Sequence, residues 1–262
     1  TNSKTADKFA GQDVVIVPTI NLALDSDFIV LCLPNHAIVE KVLMGCEAGA
    51  LAGKKIVNTT TATPREIESI CDYVMKSGGK YLDAKIECYP PEVDSGSGLF
   101  IYSGDEELFN EIQSVLTALS NEPIFLDRNP AAAAIVDLGV VVDYHLALFH
   151  AMLESVALAI KHDFPVEKLM KITEMIRPDL PKYMTRQLVN AFSEGIPKEY
   201  EDAKEAFLDT EYNGLKIAVA ALKESGINAT FSENMLKMME STVNKGHGKK
   251  GIIAVMSEII KS

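Results

Sequence analysis

Short apolar runs alternate with amphipathic segments along the first half of the chain. The apolar runs are rich in β-branched residues and predict strands at DVVIV, DFIVLCLP, KKIVNTT, KYLDAKI, LFIYSG and PIFLD. Helical periodicity marks HAIVEKVL, IESICDYVMKSG and DEELFNEIQSVLTAL, and Thr63, Pro64 and Glu66 form the pattern of a capping box with a proline start. This alternation predicts an α/β domain over residues 1–128, built on a mainly parallel, doubly wound sheet.

The pattern changes at residue 129, where the strand signals end. The segment PAAAAIVDLGVVVDYHLALFHAMLESVALAIK predicts one very long apolar helix, and further helical segments follow. A helix that is apolar around most of its circumference must be covered on all sides. We therefore expect an all-helical domain over 129–262 that forms a homodimer with intertwined helical domains.

The start of the chain departs from the usual order of a parallel α/β sheet. SKTADKFAGQ predicts a helix with no strand or glycine-rich turn before it. Such a sheet normally begins with a strand, and the turn after that strand carries the phosphate loop. We therefore expect the first strand and phosphate turn, roughly 30 residues, to lie upstream.

A glycine-rich stretch near the other end, GHGKKG at 246–251, fits the G-x-G-x-x-G pattern of a phosphate turn. That turn works only between a strand and a helix, where its backbone approaches a pyrophosphate. Helical patterns lie on both sides here, so a break between the last two helices is the better interpretation. His247, Lys245 and Lys249 remain candidates for contact with a cofactor held by the other domain.

Composition and charge narrow the function classes. The formal net charge is −12, which argues against nucleic acids and anionic membranes as partners. The four cysteines form no C-x-x-C pair, so their spacing suits neither zinc nor a disulfide framework and indicates reduced thiols in a cytoplasmic protein. The longest apolar run, Ala131 to Val142, is interrupted by Asp137 and is short for a membrane span.

Several motifs, in order, resemble those of a known superfamily. They are VLCLPN, VNTTTATP, YLDAKIECYPPEVDSGSGLFIYSG and the late GHG. Together with the order of the two halves, they resemble the 6-phosphogluconate and β-hydroxyacid dehydrogenases, and within these the imine reductases. The resemblance implies a Rossmann-type NADP-binding domain, incomplete at its start, followed by an all-α dimerisation domain.

The same resemblance implies a set of cofactor contacts for NADPH. Residues of the initial TNSK would contact the 2′-phosphate, the VLCLPN loop the ribose, and the VNTTTATP turn the nicotinamide. The implied contact residues are Thr1, Ser3, Lys4, Leu33, Pro34, Asn58, Thr59, Thr60 and His247.

One position separates imine reductases from their hydroxyacid relatives, which carry a catalytic lysine near the start of the long helix. No lysine occurs between Arg128 and Lys161, and Asp137 is the polar group in AAAAIVDLGVVV. A carboxyl group can stabilise an iminium cation and, when protonated, donate a proton to nitrogen. Its apolar surroundings should raise the pKa of Asp137. Tyr144, seven residues later, should share its face and orient substrate or relay a proton.

Three hypotheses follow. The first is NADPH-dependent reduction of cyclic imines, in a cleft between the α/β domain and the long helix that the partner subunit closes. The second is a β-hydroxyacid dehydrogenase of the 3-hydroxyisobutyrate type. The third is a catalytically inactive NADP-binding dimer, in which Asp137 and Tyr144 simply pack within the bundle.

Overall fold

The computed structural model describes residues 15–17, 19–176, 180–203 and 206–260. The helix predicted at SKTADKFAGQ and the predicted contacts Thr1, Ser3 and Lys4 lie outside these residues. The chain forms two compact units, one reaching to His145 and the other beginning at Leu146. The domain division predicted at 128/129 stays a prediction.

The first unit is built on a mixed sheet. In the described part of the chain its strands are β1 Phe28–Leu31, β2 Lys55–Asn58, β3 Lys80–Ile86, β4 Phe100–Gly104 and β5 Ile124–Asp127. They lie in the order β1-β2-β3-β4-β5, and each neighbouring pair is parallel except β3–β4. The predicted α/β class and mainly parallel sheet are thus confirmed.

Helices alternate with these strands. They are α1 Ile20–Ala23, α2 His36–Met44, α3 Pro64–Lys76, α4 Pro90–Asp94, α5 Glu106–Leu116 and α6 Ala132–Val136. The predicted capping box opens α3: the Thr63 hydroxyl accepts a hydrogen bond from Glu66 N at 3.3 Å, and the Glu66 carboxylate accepts one from Thr63 N at 2.7 Å. This cap fixes where the turn after β2 ends.

One predicted strand is wrong. In DVVIV, Val15–Val17 belong to no strand, and Val15 is 87% exposed; Asp13 and Val14 lie outside the described residues. β-propensity largely reflects packing against neighbouring strands, and none of the strands in the described part of the chain pairs with Val15–Val17.

The two faces of β3 differ, and this difference positions the site. Leu82 and Ala84 pack into a hydrophobic cluster with α5. Tyr81 points the other way, into a cluster that includes residues of α2 and α3 and Ala134 of α6. Because side chains alternate along a strand, Asp83 and Lys85 lie on the face of Tyr81, where α6 packs on β3.

The long helix predicted from residue 131 onward is confirmed. It runs without a break over Ala132–Lys161, as α6, a π-helical segment Asp137–Tyr144, and α7 His145–Lys161. Its mean hydropathy is 1.7 and 17% of its most apolar window is buried, so by length and composition alone it could cross a membrane. The run Ala131–Val142 is thus only part of a longer apolar helix, and the absence of a membrane partner stays a prediction.

The second unit is helical, as predicted. Its further helices are α8 Val166–Ile176, α9 Leu180–Phe192, α10 Leu208–Glu224, α11 Thr230–Thr242 and α12 Met256–Ile259, with a π-helical turn at Val243–His247 and a 3₁₀ turn at Ile252–Val255. Helices α10 and α11 pack through a small core of Val219, Leu222 and Ala229. Among the described residues of this unit, the only β pairing is one isolated bridge, Asp202 to Lys250.

Candidate active site

The carboxyl ends of β1, β2 and β3 form one edge of the sheet. The three strands are parallel, so the residues that follow them meet there. Ligands of open α/β sheets bind outside this kind of edge. It brings together the predicted cofactor residues Leu33, Pro34, Asn58, Thr59 and Thr60.

A chain of hydrogen bonds ties this edge together. Leu33 N donates to Thr60 Oγ1 at 3.1 Å, and Thr60 N donates to Asn58 Oδ1 at 3.1 Å. Asn58 Nδ2 donates in turn to Tyr81 Oη at 3.0 Å. Asn58 and Thr60 are 0% and 3% exposed, so their side chains hold the turn in shape. Pro34 is exposed and Thr59 is half-buried, which leaves these two better placed to meet a ligand.

Charged side chains follow one face of β3. Lys85 Nζ donates to Asp83 Oδ1 at 2.9 Å and to Thr60 O at 3.1 Å, and the two charged side chains are 2% and 0% exposed. Glu87, next on the same face, has both carboxylate oxygens shielded from solvent and without a hydrogen-bond partner among the described residues. A buried ammonium group thus pairs with Asp83, and a second shielded carboxyl group follows on the same face of the strand.

Asp137 approaches this face from α6. The start of α6 is anchored by Ser103, whose Oγ accepts from Ala133 N at 3.0 Å and donates to Pro130 O at 2.9 Å. The alanines at 131, 133 and 134 are completely buried, and their small side chains let the helix lie close on the sheet. Asp137 follows, 8% exposed, with Oδ2 unpaired among the described groups.

Asp83, Lys85, Glu87 and Asp137 together form what we call the carboxyl cluster. Burial raises the pKa of Asp137, as predicted from its apolar flanks, while the Lys85 ammonium opposes that rise. Burial likewise raises the pKa of Asp83 to about 7, against the charge and hydrogen bond of Lys85. The pKa of Glu87 is raised by burial and then by Asp137, and lowered by Lys85. Asp83 can therefore take up and release a proton near neutral pH, and burial shifts the pKa of the other two carboxyl groups in the same direction.

Lys85 is not among the site residues predicted from the sequence, because the expected place for a catalytic lysine is on the long helix. The signal was present in YLDAKIE, where Asp83, Lys85 and Glu87 occupy every second position of an otherwise apolar strand. Charged groups on the buried face of a strand need partners, and that requirement points to a site.

Tyr144 does not share a face with Asp137, so that prediction was wrong. The interval between them is π-helical, with i→i+5 hydrogen bonds and more residues per turn than an α-helix. Seven residues therefore no longer make two full turns. Tyr144 is 37% exposed, whereas Asp137 is buried.

The GHG segment lies between helices, as predicted, and is not a phosphate turn. Gly246 has a φ of 88°, a left-handed value that suits glycine. At Gly248 a Cβ would overlap the carboxylate of the exposed Asp209 side chain, which would have to rotate away. The ring of His247 lies edge-on to Tyr200, with centroids 5.9 Å apart. Contact of His247 with a cofactor stays a prediction.

Two family profiles match the chain. Residues 1–126 match the NAD-binding domain of 6-phosphogluconate dehydrogenase, and residues 129–261 match the C-terminal domain of NADPH-dependent reductive aminase-like proteins. An NADPH-dependent reductive aminase of Aspergillus oryzae is 25% identical over 251 residues, which cover 94% of this chain and 82% of that protein.

Solved structures show the same fold. An imine reductase from Bacillus cereus superposes with a TM-score of 0.89 at 18% identity, over 100% of this chain and 89% of the other. A reductive aminase from Aspergillus terreus, in complex with NADPH and ethyl levulinate, superposes with a TM-score of 0.85 at 22% identity, over 99% of this chain and 88% of the other. By the profile that matches its second half, the chain belongs to the family of NADPH-dependent reductive aminase-like proteins.

Proposed function

We propose that this protein reduces imines, cyclic imines among them, to amines with NADPH, and that Asp137 donates the proton and anchors the iminium. The observation that carries the proposal is the Asp137 carboxyl, buried beside the edge of the sheet with an unpaired oxygen. Membership of the family and the similarity to the Aspergillus oryzae reductive aminase support the reaction class.

The residues present fit the nicotinamide half of NADPH. Pro34 and Thr59 lie at the carboxyl edge of parallel strands, where dinucleotides bind in this fold class. The buried network through Asn58 and Thr60 keeps that edge rigid. Thr1, Ser3 and Lys4 are proposed to contact the 2′-phosphate and lie outside the described residues. Several solved relatives carry NADPH or NADP⁺ and one variant carries NAD⁺, and the family profile is that of NADPH-dependent proteins, so we assign NADPH.

The proton transfer in this reaction depends on whether the Asp137 carboxyl carries a proton. When bound, NADPH supplies a hydride to the C=N carbon. Asp137 in its acid form gives its proton to the imine nitrogen, so that an O–H bond breaks and an N–H bond forms. The resulting carboxylate stabilises the iminium cation until the carbon is saturated and the former π pair becomes the lone pair of the amine. Burial raises the pKa of Asp137, which increases the share of the acid form that a general acid requires.

Tyr144 and the partner subunit have supporting roles in this proposal. Tyr144 orients the substrate, because the π-helical segment turns it away from a relay with Asp137. The protein works as a homodimer in which a second copy covers the apolar side chains of α7. The apolar side chains of α7 that are 57–62% exposed in the single chain are Leu146, Phe149, Leu153 and Ile160. In the same proposal, His247 touches the cofactor.

One observation favours a second activity. Lys85 places an ammonium group near Asp137, and lysine suits carbonyl reduction because it can protonate a developing alkoxide. A β-hydroxyacid dehydrogenase of the 3-hydroxyisobutyrate type is therefore the second candidate.

The test mixes the protein with NADPH and a small cyclic imine such as a pyrroline, and follows the absorbance of the reduced nicotinamide. Imine-dependent loss of absorbance supports the proposal. Oxidation of 3-hydroxyisobutyrate with NADP⁺, without imine turnover, supports the second candidate. Tight NADPH binding with no turnover on either substrate identifies an inactive nucleotide-binding dimer.

A further inference from the structure

Lys85 is a buried cation that the proposed reaction does not use. Its side chain is 2% exposed, and its ammonium group donates to Asp83 Oδ1 at 2.9 Å and to Thr60 O at 3.1 Å. Asp83 lies two positions earlier on the same face of β3, whereas Thr60 belongs to the turn that follows β2. The bond to Thr60 therefore joins one strand to the turn of its neighbour.

The turn after β2 depends on bonds of this kind. Residues 59–62 lie between the end of β2 and the cap of α3 and belong to no helix or strand. Backbone polar groups in such a segment must find partners outside a regular ladder. Thr59 N donates to Leu31 O at 2.8 Å, which ties the start of the turn to β1. Lys85 binds Thr60 O from the other side, so the turn is held between β1 and β3.

Thr60 passes this restraint on to the loop after β1. Its Oγ1 accepts a hydrogen bond from Leu33 N at 3.1 Å, and its own N–H donates to Asn58 Oδ1 at 3.1 Å. Thr60 is 3% exposed, and losing a partner is costly for a polar group buried to this degree. Lys85, Thr60 and Leu33 thus form a continuous hydrogen-bonded path from β3 to the loop that carries Pro34.

We propose that Lys85 is a positioning residue: its ammonium group fixes Thr60, and through Thr60 Oγ1 the loop after β1, in the shape that receives the nicotinamide half of NADPH. The role in cofactor binding rests on the proposed function, whereas the restraint on the loop is a property of the protein without cofactor. A loop that spends less time in the binding shape lowers the apparent affinity by the same factor. Loss of the ammonium group should therefore weaken NADPH binding.

The first test measures hydrogen exchange of the Leu33 amide in ¹⁵N-leucine-labelled protein without cofactor. Lys85→Met keeps the aliphatic stem and removes the ammonium group, so exchange should become at least about tenfold faster, the scale of a hydrogen bond to a charged group. The Leu82 amide, inside β3, should keep its rate, because the turn alone is released. Lys80→Met, the same substitution at the amino end of β3, is the control, since Lys80 pairs with Glu111.

Thr60→Val tests the path itself. It keeps the shape of the side chain but removes the hydroxyl that binds Leu33 N, so it should speed up exchange of the Leu33 amide. Adding Lys85→Met to Thr60→Val should give no further increase, because the connection is already broken. That pattern supports the proposal. Unchanged Leu33 exchange in Lys85→Met, equal acceleration of Leu33 and Leu82, or an additive increase in the double variant would overturn it.

The consequence for the cofactor is measured by fluorescence titration. Lys85→Met should bind NADPH at least about tenfold more weakly than the wild type, and Lys80→Met should match the wild type. The fragment 2′,5′-ADP, which lacks the nicotinamide half, should bind equally to all three proteins. Equal losses for NADPH and 2′,5′-ADP, or no loss for either, would contradict the proposal. If Lys85→Met does not fold, Lys85→Gln, whose amide nitrogen is one bond closer to the backbone than Nζ, replaces it in both measurements.

The failure of the proposed function is recognised separately. A protein that shows these changes in Leu33 exchange and NADPH affinity but turns over no imine keeps the positioning role of Lys85 and rejects the reaction. An enzyme that reduces imines, and whose Lys85→Met variant keeps the wild-type exchange rate and NADPH affinity, keeps the reaction and rejects the positioning role.

Discussion

At the scale of single residues, the site is defined by how burial and one ammonium group act on three carboxyl groups. Asp137 behaves as its apolar flanks predict: it is buried, and burial is the main cause of its raised pKa. The partner that opposes this rise, Lys85, comes from a strand some fifty positions earlier. Sequence reasoning therefore found the acid and missed the charge that tunes it.

Asp83 should make the stability of the protein depend on pH. Its pKa is raised from 3.8 to about 7 in the folded chain, so the folded state binds its proton more tightly than the unfolded state does. The contribution of Asp83 to stability is complete below pH 3.8 and is lost as the pH rises through about 7. Urea unfolding between pH 4 and 8 should show a decline in the free energy of unfolding that is shallower in Asp83→Asn.

Asp72→Asn is the control for that measurement, because Asp72 is an exposed carboxylate paired with Lys76 on the surface of α3. It should keep the slope of the wild type. An Asp83→Asn variant with the wild-type slope would contradict the raised pKa.

At the scale of elements, the sequence pattern predicted where the helices lie more reliably than it predicted the geometry within them. The apolar run from 131 to 161 predicts one long helix, and one is present. Its π-helical segment could not be predicted, because DLGVVVDY is apolar nearly all round and fixes no helical phase. The predicted shared face of Tyr144 and Asp137 was wrong for that reason. The strand predicted at DVVIV was wrong for a different reason, since a strand also requires a neighbouring strand.

The GHG segment provides a stability prediction for the helical unit. Gly248→Ala forces the Asp209 carboxylate to rotate away and should destabilise the unit by about 1 kcal/mol, the low end of the cost of overpacking. Gly214→Ala is the matched control: nothing lies near a Cβ there, within α10, so alanine should be neutral or stabilising by up to about 1 kcal/mol. Thermal unfolding followed by circular dichroism measures both, and equal midpoints for the two variants would show that Gly248 is not closely packed.

At the scale of the whole molecule, the apolar surface of α7 needs a cover. Leu153 is 62% exposed in the single chain, and Phe149 is 57% exposed. Contiguous apolar patches of this kind mark interaction surfaces. The sequence predicts the patch from the pattern of α7, but the partner that covers it has to be established in solution.

Leu153→Glu should therefore shift the protein from dimer to monomer, because a buried unpaired carboxylate opposes association. Met75→Glu on α3 starts from the same 62% exposure and should leave the dimer intact. Light scattering after size-exclusion chromatography distinguishes the two species. A monomeric wild type, or a Leu153→Glu dimer as stable as the wild type, would contradict the proposed interface.

The most direct test of the proposed function is the rate of imine reduction by Asp137→Asn. The amide preserves shape but can neither donate the acid proton nor carry the negative charge. NADPH oxidation with a small cyclic imine should fall at least about tenfold, since general acid catalysis contributes on the order of 10²–10⁴-fold. The affinity for NADPH, measured by fluorescence titration, should stay close to that of the wild type. Turnover equal to that of the wild type would remove Asp137 from the mechanism.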